Sequence, residues 1–68
     1  MLGEHVRNIR KKRGITLKEL AEKTGLSIGY ISQIERDLTD PSLSTLRKLS
    51  AALDIPTYLL WEVRAAPA

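Results

Sequence analysis

Gln33 and Arg36, three residues apart in the segment SIGYISQIER, are the side chains of this chain best shaped to read the hydrogen-bonding edge of a base. The Gln33 amide can donate to N7 of an adenine and accept from its N6 amino group, a bidentate match worth about 1 to 3 kcal/mol of discrimination. Arg36 suits either a guanine or a phosphate oxygen, and the sequence leaves that choice open. Helical spacing sets Ser27, Ile28, Gly29 and Ser32 on the same outward side. Ile28 can meet a thymine methyl, whereas Gly29 brings no side chain and permits a close backbone approach. These six residues are the candidate base-reading set.

A reading helix also needs donors that hold the phosphate backbone on either side of it. Thr16, Lys18 and the free amides at the start of the preceding helix can hold one phosphate, because helix N-termini present unpaired N–H groups and a favourable dipole. Tyr30 offers a hydroxyl to the same strand. Thr39, Ser42 and Ser44 can clamp a second phosphate, although ordinary turn and cap roles are equally open to them. Asp37 and Asp40 flank that loop and would repel phosphate unless turned away. Chemistry of other kinds finds little to work with. There is no cysteine, His5 is the sole imidazole, and Glu19 and Glu22 read as a cap partner and a solvated residue. No enzyme activity, metal site or cofactor is expected.

The elements that must position these residues lie between Leu17 and Arg36, where LKELAEKTGLSIGYISQIER describes two short helices joined by a tight turn. Thr16 with Glu19 three residues on makes a capping box, and Gly25 supplies the left-handed conformation that ends the first helix. Ala21 is small where the two helices come closest, and Ser27 can cap the second. Leu20, Leu26, Ile31 and Ile34 fall inward, leaving Glu22, Lys23, Ser32, Gln33 and Arg36 outward. This pattern is a helix-turn-helix, and it predicts DNA binding.

Three further helical segments complete an all-α, compact five-helix domain. The first covers residues 3 to 12, with Leu2, Val6 and Ile9 at helical spacing and Gly14 as its stop. After the break at DLTDPS, Ser42 can cap a fourth helix from Leu43 to Leu53, whose Leu43, Leu46, Leu49 and Leu53 are read as one apolar stripe. TYLLWEV gives a short fifth helix in which Leu59 and Leu60 are expected to close the core. The domain is set at residues 1–63, with 64–68 as a tail.

At 68 residues and 7.6 kDa the chain has room for one core. Its expected net stability is about 3 to 10 kcal/mol. The absence of cysteine suits a reducing cytoplasm, and no apolar run reaches bilayer length, so a soluble cytoplasmic protein without membrane contact is expected. A formal charge of +3 is compatible with a polyanionic partner. Five of the eleven basic residues, Arg7, Arg10, Lys11, Lys12 and Arg13, gather near the end of the first helix, where cations also favour the helix C-terminus.

Taken together, VRNIRKKRG, ITLKELAEKTGLS, YISQIERD, PSLSTLRKLSAALDIP and the closing YLL resemble the lambda-repressor-like, or XRE (Cro/CI-type), helix-turn-helix family of bacterial and phage DNA-binding domains. The stretch SIGYISQIERDLTDPSLSTL is similar to the DNA-binding half of SinR-like or cupin-fused regulators. The resemblance implies a transcriptional regulator, a repressor rather than an activator. It would bind double-stranded DNA as a dimer, with its third helix in the major groove and half-sites about 34 Å apart. It also implies a partly buried ion pair between Arg10 and Glu35. The homodimer is expected through the fifth-helix region (Leu60, Trp61) or through a further C-terminal domain, Trp61 being either a core plug or part of an exposed apolar patch. Ile28 and Gly29 stand where members of the family carry two polar readers, which shifts specificity toward DNA shape. The competing reading is a protein-interaction module that docks the same helix through Ile28 and Tyr30.

Overall fold

The computed structural model describes residues 2–65, with side chains through residue 61. Five helices follow one another: α1 (Leu2–Lys12), α2 (Leu17–Thr24), α3 (Ile28–Glu35), α4 (Leu43–Leu53) and α5 (Thr57–Ala65). Among the described residues there is no strand, and no helix is long and apolar enough to cross a membrane. α5 continues two residues past the expected boundary at 63, and the rest of the expected tail lies outside the described residues.

Local chemistry fixes most helix ends. The Thr16 hydroxyl accepts from the Glu19 amide at 3.1 Å while the Glu19 carboxylate accepts from the Thr16 amide at 3.2 Å, so the capping box is complete. Gly25 has φ +75° and donates its N–H to the Ala21 carbonyl at 2.8 Å, the left-handed stop expected of glycine. Thr24 ties the turn from within. Its hydroxyl donates to the Leu20 carbonyl at 2.8 Å and accepts from the Leu26 amide at 3.2 Å. Ser27 and Ser42 cap α3 and α4 by accepting from the Tyr30 and Thr45 amides. α4 ends at Asp54, whose carbonyl accepts from Arg13 at 3.2 Å. One member of the basic run therefore serves as a cation at a helix C-terminus.

Val6, Leu20, Ile31, Leu46, Leu49, Leu53 and Leu60 are fully buried and form the centre of the core, with Ile34 beside them. Fully burying a side chain of this size contributes about 1.5 to 3 kcal/mol, so a few of them match the net stability of the whole domain. α3 packs on α1 and α2, α4 packs on α2 and α5, and α5 returns to α1. The hairpin of α2 and α3 is thereby braced from behind.

Two expected core positions are corrected. Leu43 is 41% exposed, because steps of three residues slip by about 60° on a helix of 3.6 residues per turn and carry it off the side that buries Leu49. Leu59 is 36% exposed while its neighbour Leu60 is fully buried. Adjacent helical residues point about 100° apart, so only one of them faces the core. Leu60 is thus removed from any association surface of the free chain, and the exposed apolar residues of α5 are Tyr58, Leu59 and Trp61.

Candidate nucleic-acid interface

α3 presents one side to the core and the other to solvent. Ile31, Ile34 and Glu35 are buried, whereas Ile28, Gly29, Gln33 and Arg36 are exposed together with the cap residue Ser27; Ser32 is half-buried at the edge. The six candidate base readers therefore share one outward surface with no other part of the described chain covering Gln33. Ile28, 46% exposed, adds an apolar spot at the start of the helix. Arg36 follows the last helical residue, and its Nε donates to the Ser32 carbonyl at 3.4 Å. That bond engages the side chain through Nε and leaves both Nη groups out of it.

Gly29 has open space around it: a Cβ built there meets nothing within 4 Å. The fold does not require glycine at this position, and glycine in a helix costs up to about 1 kcal/mol relative to alanine. Gly29→Ala is accordingly expected to raise the stability of the free chain by about 0.5 to 1 kcal/mol, measured as the urea midpoint at unchanged slope.

The candidate phosphate donors belong to the start of α2 and to the stretch that runs from α3 into the start of α4. Thr16 and Lys18 are exposed at the start of α2. With the capping box occupying the Thr16 and Glu19 amides, the N–H groups of Leu17 and Lys18 remain without an intrahelical acceptor. In the second group, the Tyr30 hydroxyl is within 3.3 Å of the Thr45 hydroxyl, and the Ser42 hydroxyl donates to the same Thr45 oxygen at 3.2 Å. These three residues join the first turn of α3 to the cap of α4. Ser42 and Ser44 are exposed there, and Thr39 is half-buried in the loop between the two helices.

Asp37, whose charge counted against an anion site in this loop, is committed elsewhere. Its backbone takes the left-handed conformation (φ +57°), and its carboxylate accepts from the Gly3 amide at 3.0 Å, capping the start of α1 from across the fold. Sequence reasoning missed both Gly3 and this use of Asp37. A bond between residues 34 positions apart leaves no local signal.

Arg10 and Glu35 are brought together. Arg10 Nε donates to Glu35 Oε2 at 2.7 Å and Nη2 to Oε1 at 3.1 Å, while Nη1 donates to the Ile15 carbonyl at 2.9 Å. Their side chains are 11% and 5% exposed. The parallel two-bond geometry satisfies both carboxylate oxygens and fixes α1 against the end of α3. Arg10 is thereby withdrawn from the basic surface, which leaves Arg7, Lys11 and Lys12 exposed on α1.

Comparison with known proteins places this geometry in context. Residues 6–60 match the family described as helix-turn-helix. The chain is 46% identical over 61 residues to the HTH-type transcriptional regulator SinR of Bacillus subtilis (strain 168), covering 88% of this chain and 55% of that protein. It is 48% identical over 54 residues to the immunity repressor protein of Bacillus phage phi105, covering 79% of this chain and 38% of that protein. The chain thus spans about half or less of the length of these relatives. Its structure is similar, at a TM-score of 0.84 and 45% identity, to the crystal structure of SinR in complex with DNA, covering 90% of this chain and 98% of that one.

Proposed function

Because the chain belongs to the helix-turn-helix family, we propose that it is the sequence-specific, double-stranded DNA-binding domain of a transcriptional regulator, acting as a repressor. The exposed side of α3, packed from behind by α1 and α2, is the observation that carries this reading. α3 enters the major groove. Gln33 pairs with an adenine, Ile28 contacts a thymine methyl, and Gly29 lets the start of the helix sit close to the bases. Ser27 and Ser32 supply hydroxyls at the edge of the same surface. Thr16, Lys18 and the first amides of α2 hold one backbone phosphate. Tyr30, Thr39, Ser42 and Ser44 hold a second across the groove, with the Asp37 carboxylate bonded to the Gly3 amide at the start of α1.

Two copies occupy two half-sites about one helical turn apart. Tyr58, Leu59 and Trp61 offer the apolar part of their contact. Occupation of an operator by such a dimer excludes other proteins from it, which is repression in its simplest form. The protein works in the cytoplasm, where DNA is accessible.

The test is a titration of labelled duplexes of two unrelated sequences, followed by selection from a random pool. With about six phosphate contacts, affinity is expected to fall roughly a thousandfold between about 50 and 200 mM salt. Selection should return a palindrome with half-sites one turn apart. Gln33→Ala is expected to cost about 1 to 3 kcal/mol on the selected site while leaving binding to unrelated duplexes unchanged. A chain that forms no complex at low salt, or whose binding ignores salt, would sink this reading.

A further inference from the structure

Arg7 is a cation for which the fold gives no account. It is exposed in the middle of α1, and among the described residues it has no ion-pair or hydrogen-bond partner. Lys11, one turn further on, is a like charge at a spacing that destabilises an isolated helix. Arg7 and Arg36 together wall two adjoining grooves between α1 and α3. The smaller, of about 240 Å³, is lined by Arg7, Arg10, Leu17, Ser32, Glu35 and Arg36. Glu35 is consumed by its two bonds to Arg10, so the charge left at this groove is that of Arg7 and Arg36. The lining includes Leu17 at the start of α2 and Ser32 on the reading helix, so the groove opens beside the candidate DNA surface. The larger groove, of about 560 Å³, adds Lys11 to the same arginines but sets Glu4 and Asp37 against them, which offset two of its three cations. An anion is therefore favoured at the smaller one.

We infer that Arg7 is a phosphate-binding residue of the DNA interface, which extends that interface from α2 and α3 onto α1. The inference rests on the DNA-binding reading above. A guanidinium at this place meets the sugar-phosphate backbone beside the half-site and carries no base preference, so it positions α3 in the groove without reading sequence.

Arg7→Ala tests it by anisotropy titration of two unrelated duplexes, each two helical turns long, over a range of salt. The expected result is binding weakened about five- to tenfold at low salt, equally for both duplexes, with the slope of log K against log salt smaller by about one. The control Lys48→Ala, which removes one positive charge from α4 outside both grooves, should leave the slope unchanged. Urea denaturation should show Arg7→Ala as stable as the parent, since the side chain is exposed and unpaired. Unchanged affinity and slope for Arg7→Ala overturn the proposal while the parent's binding stands. An equal loss in the Lys48→Ala control also overturns it, as an effect of total charge. If the parent chain binds neither duplex, the DNA-binding reading fails and this proposal with it.

Discussion

Glu35→Ala is expected to remove about 3 to 5 kcal/mol of folding stability, enough to leave a domain of about 3 to 10 kcal/mol marginal at room temperature. The cause lies less in the lost attraction than in what remains. Arg10, its side chain 11% exposed, would keep only the Ile15 carbonyl as acceptor, and its charge would stand largely out of water with no counter-ion. An uncompensated buried charge is far costlier than the net worth of the pair, which desolvation has already reduced. Glu35→Gln keeps one acceptor oxygen and the packing volume, so its loss should be smaller but still clear. Replacing both partners at once, with methionine for Arg10 and leucine for Glu35, should recover much of the stability, because no charge is then stranded. Urea unfolding of the parent, Arg10→Met, Glu35→Leu and the double variant closes a cycle on this pair. A Glu35→Ala midpoint equal to the parent's would show that Arg10 finds water instead. The same variant frees the end of α3 from α1, so DNA affinity should fall even under conditions where the variant is folded.

The contrast between what the chain discloses and what it withholds follows from the range of the interactions. The capping box at Thr16 and Glu19, the left-handed stops at Gly14 and Gly25 and the caps at Ser27 and Ser42 each depend on residues at most a few positions apart. Their chemistry is complete within one turn of backbone. Five helices and the outward placement of Gln33 and Arg36 could therefore be read directly. Leu43 and Leu59 misled for a different reason. Both are leucines at spacings that nearly fit a buried stripe, and hydrophobicity alone does not separate a residue 60° or 100° off the core direction from one that faces it. The pair of Arg10 with Glu35 was implied by family resemblance, because a separation of 25 positions hides it from any local rule. Gly3, Asp37 and the groove walled by Arg7 and Arg36 exist only once α1 lies across the end of α3.

Gly3 gives that crossing its sharpest test, because two rules predict opposite signs for one substitution. By helix propensity, Gly3→Ala in α1 should stabilise the chain by up to about 1 kcal/mol. By packing it should do the reverse: a Cβ at this position would overlap the Ile34 carbonyl oxygen and lie 2.6 Å from the Glu35 carbonyl oxygen. Both are backbone atoms at the buried end of α3, so no side chain can turn aside to make room. Relief requires α1 to shift away or its first turn to unwind. Either movement breaks the 3.0 Å bond from the Gly3 amide to Asp37 and opens Leu2, which is 8% exposed, to water. Overpacking of this kind typically costs about 1 to 3 kcal/mol, and the upper part of that range is expected where backbone must move, so the steric term wins. Gly29→Ala supplies the matched comparison, being the same change near the start of a helix with nothing in the way. The two variants should therefore move the urea midpoint in opposite directions, Gly3→Ala downward and Gly29→Ala upward. A Gly3→Ala variant as stable as the parent would mean that α1 does not approach α3 this closely. The groove beside Arg7 would then lose one of its walls, and the interface proposed on α1 would lose its geometric basis.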